Sequence, residues 1–243
     1  MTRRTLLLVG GAAGLLAAAL IAVSIAGGGD DDSEASGGTT TASTTGSQPP
    51  PKIDTAALAT IEGVPQNGLV LGKPAARAVI VEYADLQCPY CGMWERNTLP
   101  VLVRDYVRTG KLRIEFRGLA FIGADSEVAL RTALAAASQN RLWNVVELLY
   151  LNQGVENSGW VTPSLLGGIV RAAGVDPNAL STEIASPAVG RLQAQATAAA
   201  QAANVHQTPT FEIGRTGQPL HTIETSSLSP PPFQAAVQQA LSS

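Results

Sequence analysis

The chain has 243 residues, a formal net charge of −3 and only 14% charged side chains. No basic run lies beyond the N-terminus, so nucleic-acid binding has no electrostatic footprint, and neither an acidic substrate nor an anionic-lipid partner gains support. Two cysteines three positions apart and two isolated histidines, His206 and His221, are all the chain offers a soft metal; zinc takes roughly three or four protein ligands, so no metal and no other cofactor is expected.

The N-terminus reads Met1-Thr-Arg-Arg-Thr, followed by an uncharged apolar stretch from Leu6 to Ala26. As a helix rising about 1.5 Å per residue, that stretch reaches across a hydrocarbon core of roughly 30 Å. Arg3 and Arg4 would stay in the cytoplasm, which puts everything after Ala26 outside. Residues 1–26 therefore read as a single-pass membrane anchor. The alternative is a signal peptide cleaved near Ser24-Ile25-Ala26, leaving a secreted or periplasmic protein. The paired arginines also loosely resemble a twin-arginine export signal. Against cleavage, the apolar run exceeds the roughly 7–15 residues of a signal core. Residues 27–53 are rich in Gly, Ser, Thr and Asp and close on Gln48-Pro49-Pro50-Pro51. Such a composition buries too little apolar surface to offset the entropy of ordering, and predicts a flexible tether with a reach of ~25–30 Å. A tether is useful when its far end is held, which favours the retained anchor.

Residues 54–243 read as globular. Gly68-Leu-Val-Leu-Gly72 is a short strand that Lys73-Pro74 turns, and Ala78-Val-Ile-Val-Glu-Tyr83 is apolar on both alternating faces, as a strand covered on both sides should be. A helical segment follows from about Pro89 to Arg108, with a kink or break expected at Pro100. Lys111 to Arg117 alternates charged and apolar residues, the period of a half-buried strand. Strand, helix and strand in this order form a βαβ unit whose strands should be parallel. From about 124 to 203 the chain is alanine- and leucine-rich at helical spacings, and Pro163, Gly174 and Pro187 divide it into four expected helices. Thr210-Phe-Glu-Ile-Gly214 and Leu220-His-Thr-Ile-Glu224 read as two strands joined by a turn, and a helix from about Pro231 to Leu241 closes the chain. A helical block thus interrupts an α/β domain.

The chemistry sits in Cys88-Pro89-Tyr90-Cys91, where a buried strand gives way to a helix. Pro89 suits the first helical position, where its missing N–H and fixed φ cost nothing. Cys88 then occupies the cap, with free backbone N–H groups and the positive helix end at its sulfur. It should be the exposed, low-pKa nucleophile, and Cys91, one turn further in, the buried partner that resolves a mixed disulfide. The competing reading is a plain stabilising disulfide, which persists in exported proteins. A four-residue loop is worth only about 2 kcal/mol, against nearly 5 for a loop of about 100 residues, so two cysteines kept for stability would do better to staple distant segments.

Glu82 stands inside the apolar strand, six residues before Cys88. Buried there, its pKa would rise and it could pass protons to and from Cys91; the competing reading is a glutamate at an exposed strand end. Asp85 lies in the strand-to-helix turn, where Asp is common for hydrogen bonding alone. Thr208-Pro209-Thr210 precedes the late strand, a position that tolerates proline in any case.

The run Gly72-Lys-Pro-Ala-Ala-Arg-Ala-Val-Ile-Val-Glu-Tyr-Ala-Asp-Leu-Gln-Cys-Pro-Tyr-Cys91 resembles the lead-in to the active site of DsbA-like proteins, a branch of the thioredoxin superfamily. Leu142-Trp143, Leu149-Tyr150 and Gln153 are similar to a pattern in that family's helical insertion, and Val205-His-Gln-Thr-Pro-Thr-Phe211 to the segment carrying its cis-proline. The resemblance implies a thioredoxin fold with an inserted helical domain. It implies Cys88 and Cys91 as the redox pair, joined by a disulfide when oxidised, and Glu82 as the buried acid. Pro209 would be the cis-proline facing the disulfide, and the Thr208 backbone would pair with an extended client by strand addition, with Pro89 and Tyr90 on the client-facing surface. Gln207 stands where the family often has glycine before Thr-Pro. Glutaredoxins share Cys-Pro-Tyr-Cys but are compact, whereas about 120 residues separate the pair from Pro209 here. The implied activity is donation of disulfides to exported, cysteine-containing client proteins, with re-oxidation by a quinone-linked membrane enzyme. A reductase or isomerase of the same fold, and a tethered binding module without turnover, are the alternatives. Lys52 to Gly68 is too short for the dimerisation domain that isomerases usually carry, which lowers isomerase but not reductase.

Overall fold

The computed structural model describes residues 51–243. The apolar segment 1–26, and with it the anchor and the cleavage site expected there, lies outside the described residues, as does most of the linker. Among the described residues no helix is long and apolar enough to cross a membrane. Ile53 already packs against Gly168, and Asp54 exchanges hydrogen bonds with Asn152, its N–H donating to Oδ1 at 2.8 Å and its carbonyl accepting from Nδ2 at 2.9 Å.

After a single helical turn, α1 (Leu58–Ile61), the strands are β1 (Gln66–Asn67), β2 (Val70–Leu71), β3 (Ala78–Asp85), β4 (Leu112–Leu119), β5 (Thr210–Arg215) and β6 (His221–Thr222). They form one mixed sheet in the order β1-β2-β4-β3-β5-β6, in which β3 and β4 are parallel and the other pairs antiparallel. The βαβ unit expected from the sequence is therefore present, and β5 returns antiparallel on the other side of β3. Flanked by β4 and β5 and covered on both faces, β3 is buried at all eight positions.

Alternation along β3 decides where its side chains go. Val79, Val81 and Tyr83 pack with Ala196 and Ala200 of α8 (Pro187–Ala202). Ala78, Ile80 and Ala84 face the larger core, which contains α2 (Pro89–Asn97), α5 (Leu142–Leu151) and α9 (Pro230–Ser242). Glu82 shares the parity of this second set, so the pleat aims its carboxylate into the larger core. Trp94 anchors α2 there, 4.7 Å from the ring of Phe211 and 5.7 Å from that of Phe233, with Phe211 and Phe233 4.9 Å apart.

Two details of the sequence reading change. The helical segment breaks at Thr98, two residues before Pro100, because a proline obstructs the turn preceding it rather than its own position. Thr98 ends α2, its N–H donating to the Trp94 carbonyl at 2.7 Å, and Pro100 sits in the first turn of α3 (Leu99–Leu102), where no hydrogen bond is forfeited. A π-helical turn, Val103–Val107, continues from α3. The helical block between β4 and β5 contains five helices rather than four: α4 (Ala124–Ala136), α5, α6 (Pro163–Ala172), α7 (Pro177–Ile184) and α8. The extra boundary is Asn140, whose left-handed φ of 54° ends the first helical stretch; asparagine tolerates that conformation better than most residues.

Candidate active site

β3 ends at Asp85, and the chain turns through Leu86 and Gln87 into α2. Asp85 organises this turn. Its carboxylate accepts from the Gln87 N–H at 2.8 Å, the Phe121 and Ile122 N–H groups at 2.7 and 3.0 Å, and the Ser126 hydroxyl at 2.7 Å. It is fully buried and tied to the segment after β4, so its role is to hold the two strand ends together. Gln87 donates to the Ser126 hydroxyl and accepts from the Asn157 N–H, joining the same corner to the inserted domain.

Cys88 is the N-cap of α2, with Pro89 at the first helical position. Both sulfurs are free thiols, and their ionisation diverges. Cys88 is lowered from 9.0 to about 6, chiefly by a hydrogen bond from the Cys91 thiol, against desolvation. The Thr208 side chain and the Cys91 and Tyr90 N–H groups help, although neither N–H makes a full capping hydrogen bond to the sulfur. Cys91 moves well up through burial, through that same hydrogen bond to Cys88 and through the negative charges of Cys88 and Glu82.

The nucleophile is less open than the sequence suggested. Cys88 was expected to be exposed, yet only 4% of its surface is accessible. The strand-to-helix turn encloses its backbone, and Thr208 closes over the sulfur, which as a thiol donates to the Thr208 carbonyl at 3.3 Å. The neighbours Pro89 and Tyr90 are exposed, Tyr90 by 60%. The Thr208–Pro209 peptide bond is cis, and both residues are half-buried beside Cys88. A segment about 120 residues away in sequence thus arrives at the cysteine pair because β5 pairs with β3 from Tyr83↔Thr210 onward.

Glu82 is completely buried, and neither of its carboxylate oxygens has a hydrogen-bond partner among the described residues. Its pKa is raised well above the usual carboxylate range by burial, then by Glu95 and by Cys88. The alternative of an exposed strand end does not hold. Glu82, Cys88, Cys91, Thr208 and Pro209 therefore come together, with Pro89 and Tyr90 on the outer rim.

The family pattern singled out Tyr150 and Gln153 without a role, and Gly92, Glu95 and Glu147 were not singled out at all. Gln153, just beyond α5, donates through Nε2 to the carbonyls of Leu86 and Cys88, both at 3.1 Å, and Tyr150 donates to the Asp85 carbonyl at 3.1 Å. Gly92 follows Cys91 and faces Tyr150 of α5 and Gln153 just beyond it. A Cβ there would lie 2.8 Å from both Arg96 Nη1 and Gln153 Oε1, so only glycine fits without displacement. Two further buried carboxylates, Glu95 and Glu147, stand near Glu82. Their signals were present: Glu95 is one helical turn after Cys91, and Glu147 is the lone charge in the apolar run Leu142–Leu151.

A mixed sheet with a parallel central pair, a Cys-x-x-Cys pair at the first turn of the following helix and a cis-proline against it define the thioredoxin-fold class, here with a helical domain inserted between β4 and β5. Residues 65–227 match the Thioredoxin family model, and the chain belongs to that family. It is 34% identical over 103 residues to the probable disulfide bond formation protein D of Bacillus cereus, covering 42% of this chain and 48% of that protein. It is 27% identical over 160 residues to disulfide bond formation protein D of Bacillus subtilis, covering 63% and 69%. The chain therefore spans about half the length of the first relative and somewhat over two thirds of the second. Oxidised BdbD from Bacillus subtilis has the same fold, with a TM-score of 0.63 at 21% identity over 74% of this chain and 98% of that one.

Proposed function

We propose that the chain is an extracytoplasmic thiol–disulfide oxidoreductase that donates disulfides to exported proteins. The observation that carries this reading is the divergence of the two sulfurs at one helix terminus: Cys88 ionises near 6 beside the cis-proline, while Cys91 holds its proton. From the oxidised state, a client thiolate attacks Cys88 Sγ and the Cys88–Cys91 bond breaks. Cys91 leaves with the electron pair and takes a proton from Glu82. A second client thiolate then attacks the client sulfur of the mixed disulfide and expels Cys88 as a thiolate, so the client gains one disulfide and the pair is reduced. A stabilised thiolate favours the reduced form, which makes the disulfide a stronger oxidant.

The client would lie over Tyr90 and Pro89, with its backbone against Thr208. A groove of about 480 Å³ lined by Pro89, Gln153, Val155 and their neighbours adjoins this path. Export and tethering rest on Arg3, Arg4 and the apolar segment Leu6–Ala26. Re-oxidation is assigned to a quinone-linked membrane enzyme on the strength of the resemblance alone. The test is the redox equilibrium of the full chain against glutathione, with Cys88→Ser as the control. A potential near about −120 mV supports the oxidase, and one near about −270 mV identifies a reductase instead. Unchanged disulfide exchange in Cys88→Ser would refute the redox reading and leave a binding module.

A further inference from the structure

Apolar cores exclude carboxylates unless these are paired. Here Glu82 of β3, Glu95 of α2 and Glu147 of α5 are 0%, 2% and 3% exposed within one core. No lysine or arginine forms an ion pair with any of them among the described residues. Both oxygens of Glu82, both of Glu95 and Oε1 of Glu147 lack a hydrogen-bond donor there. They meet one another instead, Glu82 facing Glu95 and Glu95 facing Glu147. Between two ionised carboxylates such a contact is repulsive, and it becomes a hydrogen bond only when a proton is shared.

The file has two ends. At one, Glu82 acts on Cys91, and Glu95 lies one turn along α2 from that same cysteine. At the other, a cavity of about 240 Å³ is lined by Glu95, Glu147, Tyr150, Thr60 and Arg96, the last of these exposed. That volume holds several waters at about 30 Å³ each. Cys88, Pro89, Tyr90, Thr208 and Pro209 do not line it.

We propose that Glu82, Glu95 and Glu147 form a proton path joining the Cys91 sulfur to solvent in this cavity, so that Cys91 exchanges its proton while a client covers Cys88. The inference rests on the redox reading above. When attack at Cys88 breaks the disulfide, Cys91 receives the bonding pair and then a proton from Glu82. Glu95 reprotonates Glu82, Glu147 reprotonates Glu95, and Glu147 takes its proton from solvent. Re-oxidation runs the same transfers backwards.

The charged and titratable neighbours fit this task. Burial raises all three carboxyl groups: Glu82 faces Glu95 and Cys88, Glu95 faces Glu147, Glu82 and Arg96, and Glu147 faces Glu95 and Glu82. Tyr150, also beside the file, is pushed up by burial and by Cys91, Glu82, Glu95 and Cys88, and so stays a neutral phenol. At the solvent end, burial pushes Glu147 up from the usual carboxylate range, which favours its protonated form. Glu95 and Glu147 touch no sulfur and act through Glu82; they are positioning residues.

The experiment uses the full chain with Glu147→Gln, Glu95→Gln and Glu147→Asp, and a synthetic two-cysteine peptide as client. Glutamine keeps the shape and neutrality of a protonated glutamate but relays no proton. Each glutamine variant should slow stopped-flow disulfide exchange at least about tenfold at neutral pH, a fraction of the ~10²–10⁴ of full general acid–base catalysis. The glutathione equilibrium constant should stay within about threefold of wild type, because little charge is removed. Added formate, small enough for the cavity, should restore much of the rate in Glu147→Gln but not in Glu82→Gln, and Glu147→Asp should retain most of it. Wild-type rates in both glutamine variants, slowing in proportion to a shifted equilibrium constant, or no formate rescue would each overturn the path. Should Glu147→Gln fail to fold, Glu95→Gln and Glu147→Asp decide the question. Failure of the redox reading is distinguishable, because the wild-type chain would then exchange no disulfide with the peptide.

Discussion

Replacing Cys91 by alanine removes the largest single influence on the Cys88 thiolate, the hydrogen bond from the Cys91 thiol. A hydrogen bond to a charged group is worth about 1.5–3 kcal/mol, which at about 1.36 kcal/mol per unit corresponds to one to two pKa units. Cys88 is only 4% exposed, but its neighbours Pro89 and Tyr90 are exposed, which brings solvent close to this turn. Solvent screening there favours the lower end. Cys88 should therefore titrate about one unit higher in Cys91→Ala than the wild-type value of about 6, while Cys91→Ser, which keeps a donor, should stay closer to wild type. Thiolate ultraviolet absorbance against pH gives the midpoint, and the pH dependence of iodoacetamide alkylation checks it. The linkage has a definite sign. The folded value lies below that of the unfolded thiol, so the reduced protein gains stability that is fully present above pH 9 and lost as pH falls through about 6. The disulfide form has no titrating sulfur here, and exchange with a thiol that stays protonated leaves Cys88 as thiolate and releases one proton, so reduction by such a thiol should grow more favourable as pH rises across that window. A midpoint near 6 in Cys91→Ala would show that the helix terminus and Thr208 hold the thiolate without Cys91, and would refute this account.

Glu82→Gln should slow exchange by about a hundredfold, as loss of a general acid–base does, and yet stabilise the fold. The raised carboxyl contributes stability that is fully present below its unfolded value of 4.5 and is lost as pH rises through the folded one. Denaturant melts should therefore show the variant gaining on wild type between pH 4 and 8, and equal slopes would count against a buried carboxyl. Asp85→Ala leaves four donors without their acceptor and should cost about 3 kcal/mol or more in the same melts; a loss under about 1 kcal/mol would mean that water replaces the carboxylate. Gly92→Ala forces its Cβ against Arg96 and Gln153, whose ends are held by hydrogen bonds to Tyr150, Leu86 and Cys88. About 1 kcal/mol of destabilisation should remain after the alanine helix propensity is credited, and a more stable variant would show that the α2–α5 contact yields easily.

The sequence revealed those parts of the fold whose signal is local. β3 was legible because its residues are apolar at every position but Glu82 and Asp85, and the cysteine pair because Pro89 marks a helix start directly after it. Two-residue strands such as β1 carry no period of their own; β1 is a strand because β2 lies beside it. Glu95 stands one helical turn after Cys91, but Arg96 and Asn97 beside it make the stretch look polar, and only the inward orientation of Cys91 and Trp94 fixes its face. Glu147 was visible as an anomaly, but its partners depend on α5 folding back over α2, more than fifty residues from Glu95. The low exposure of Cys88 was illegible for the same reason, since Thr208 reaches it from across the inserted domain.

The two cysteines differ by one helical turn, and that offset explains why they do different work. The same hydrogen bond lowers Cys88 and raises Cys91, so a single shared proton belongs to Cys91. A sulfur that ionises near 6 is at once a ready nucleophile and a good leaving group. A mixed disulfide at Cys88 is therefore short-lived whichever thiolate attacks it. Its fate depends on whether Cys91 can lose its proton before a client thiol arrives. Cys91 is completely buried and its neighbour Glu82 has no ion pair with a cation among the described residues, so little of Cys91 is thiolate at any moment however readily its proton exchanges. On the proposed oxidase reading the carboxylates beneath the pair would bear on direction as well as rate: a protonated Glu82 would keep Cys91 out of the competition and leave the mixed disulfide to the client's second thiol.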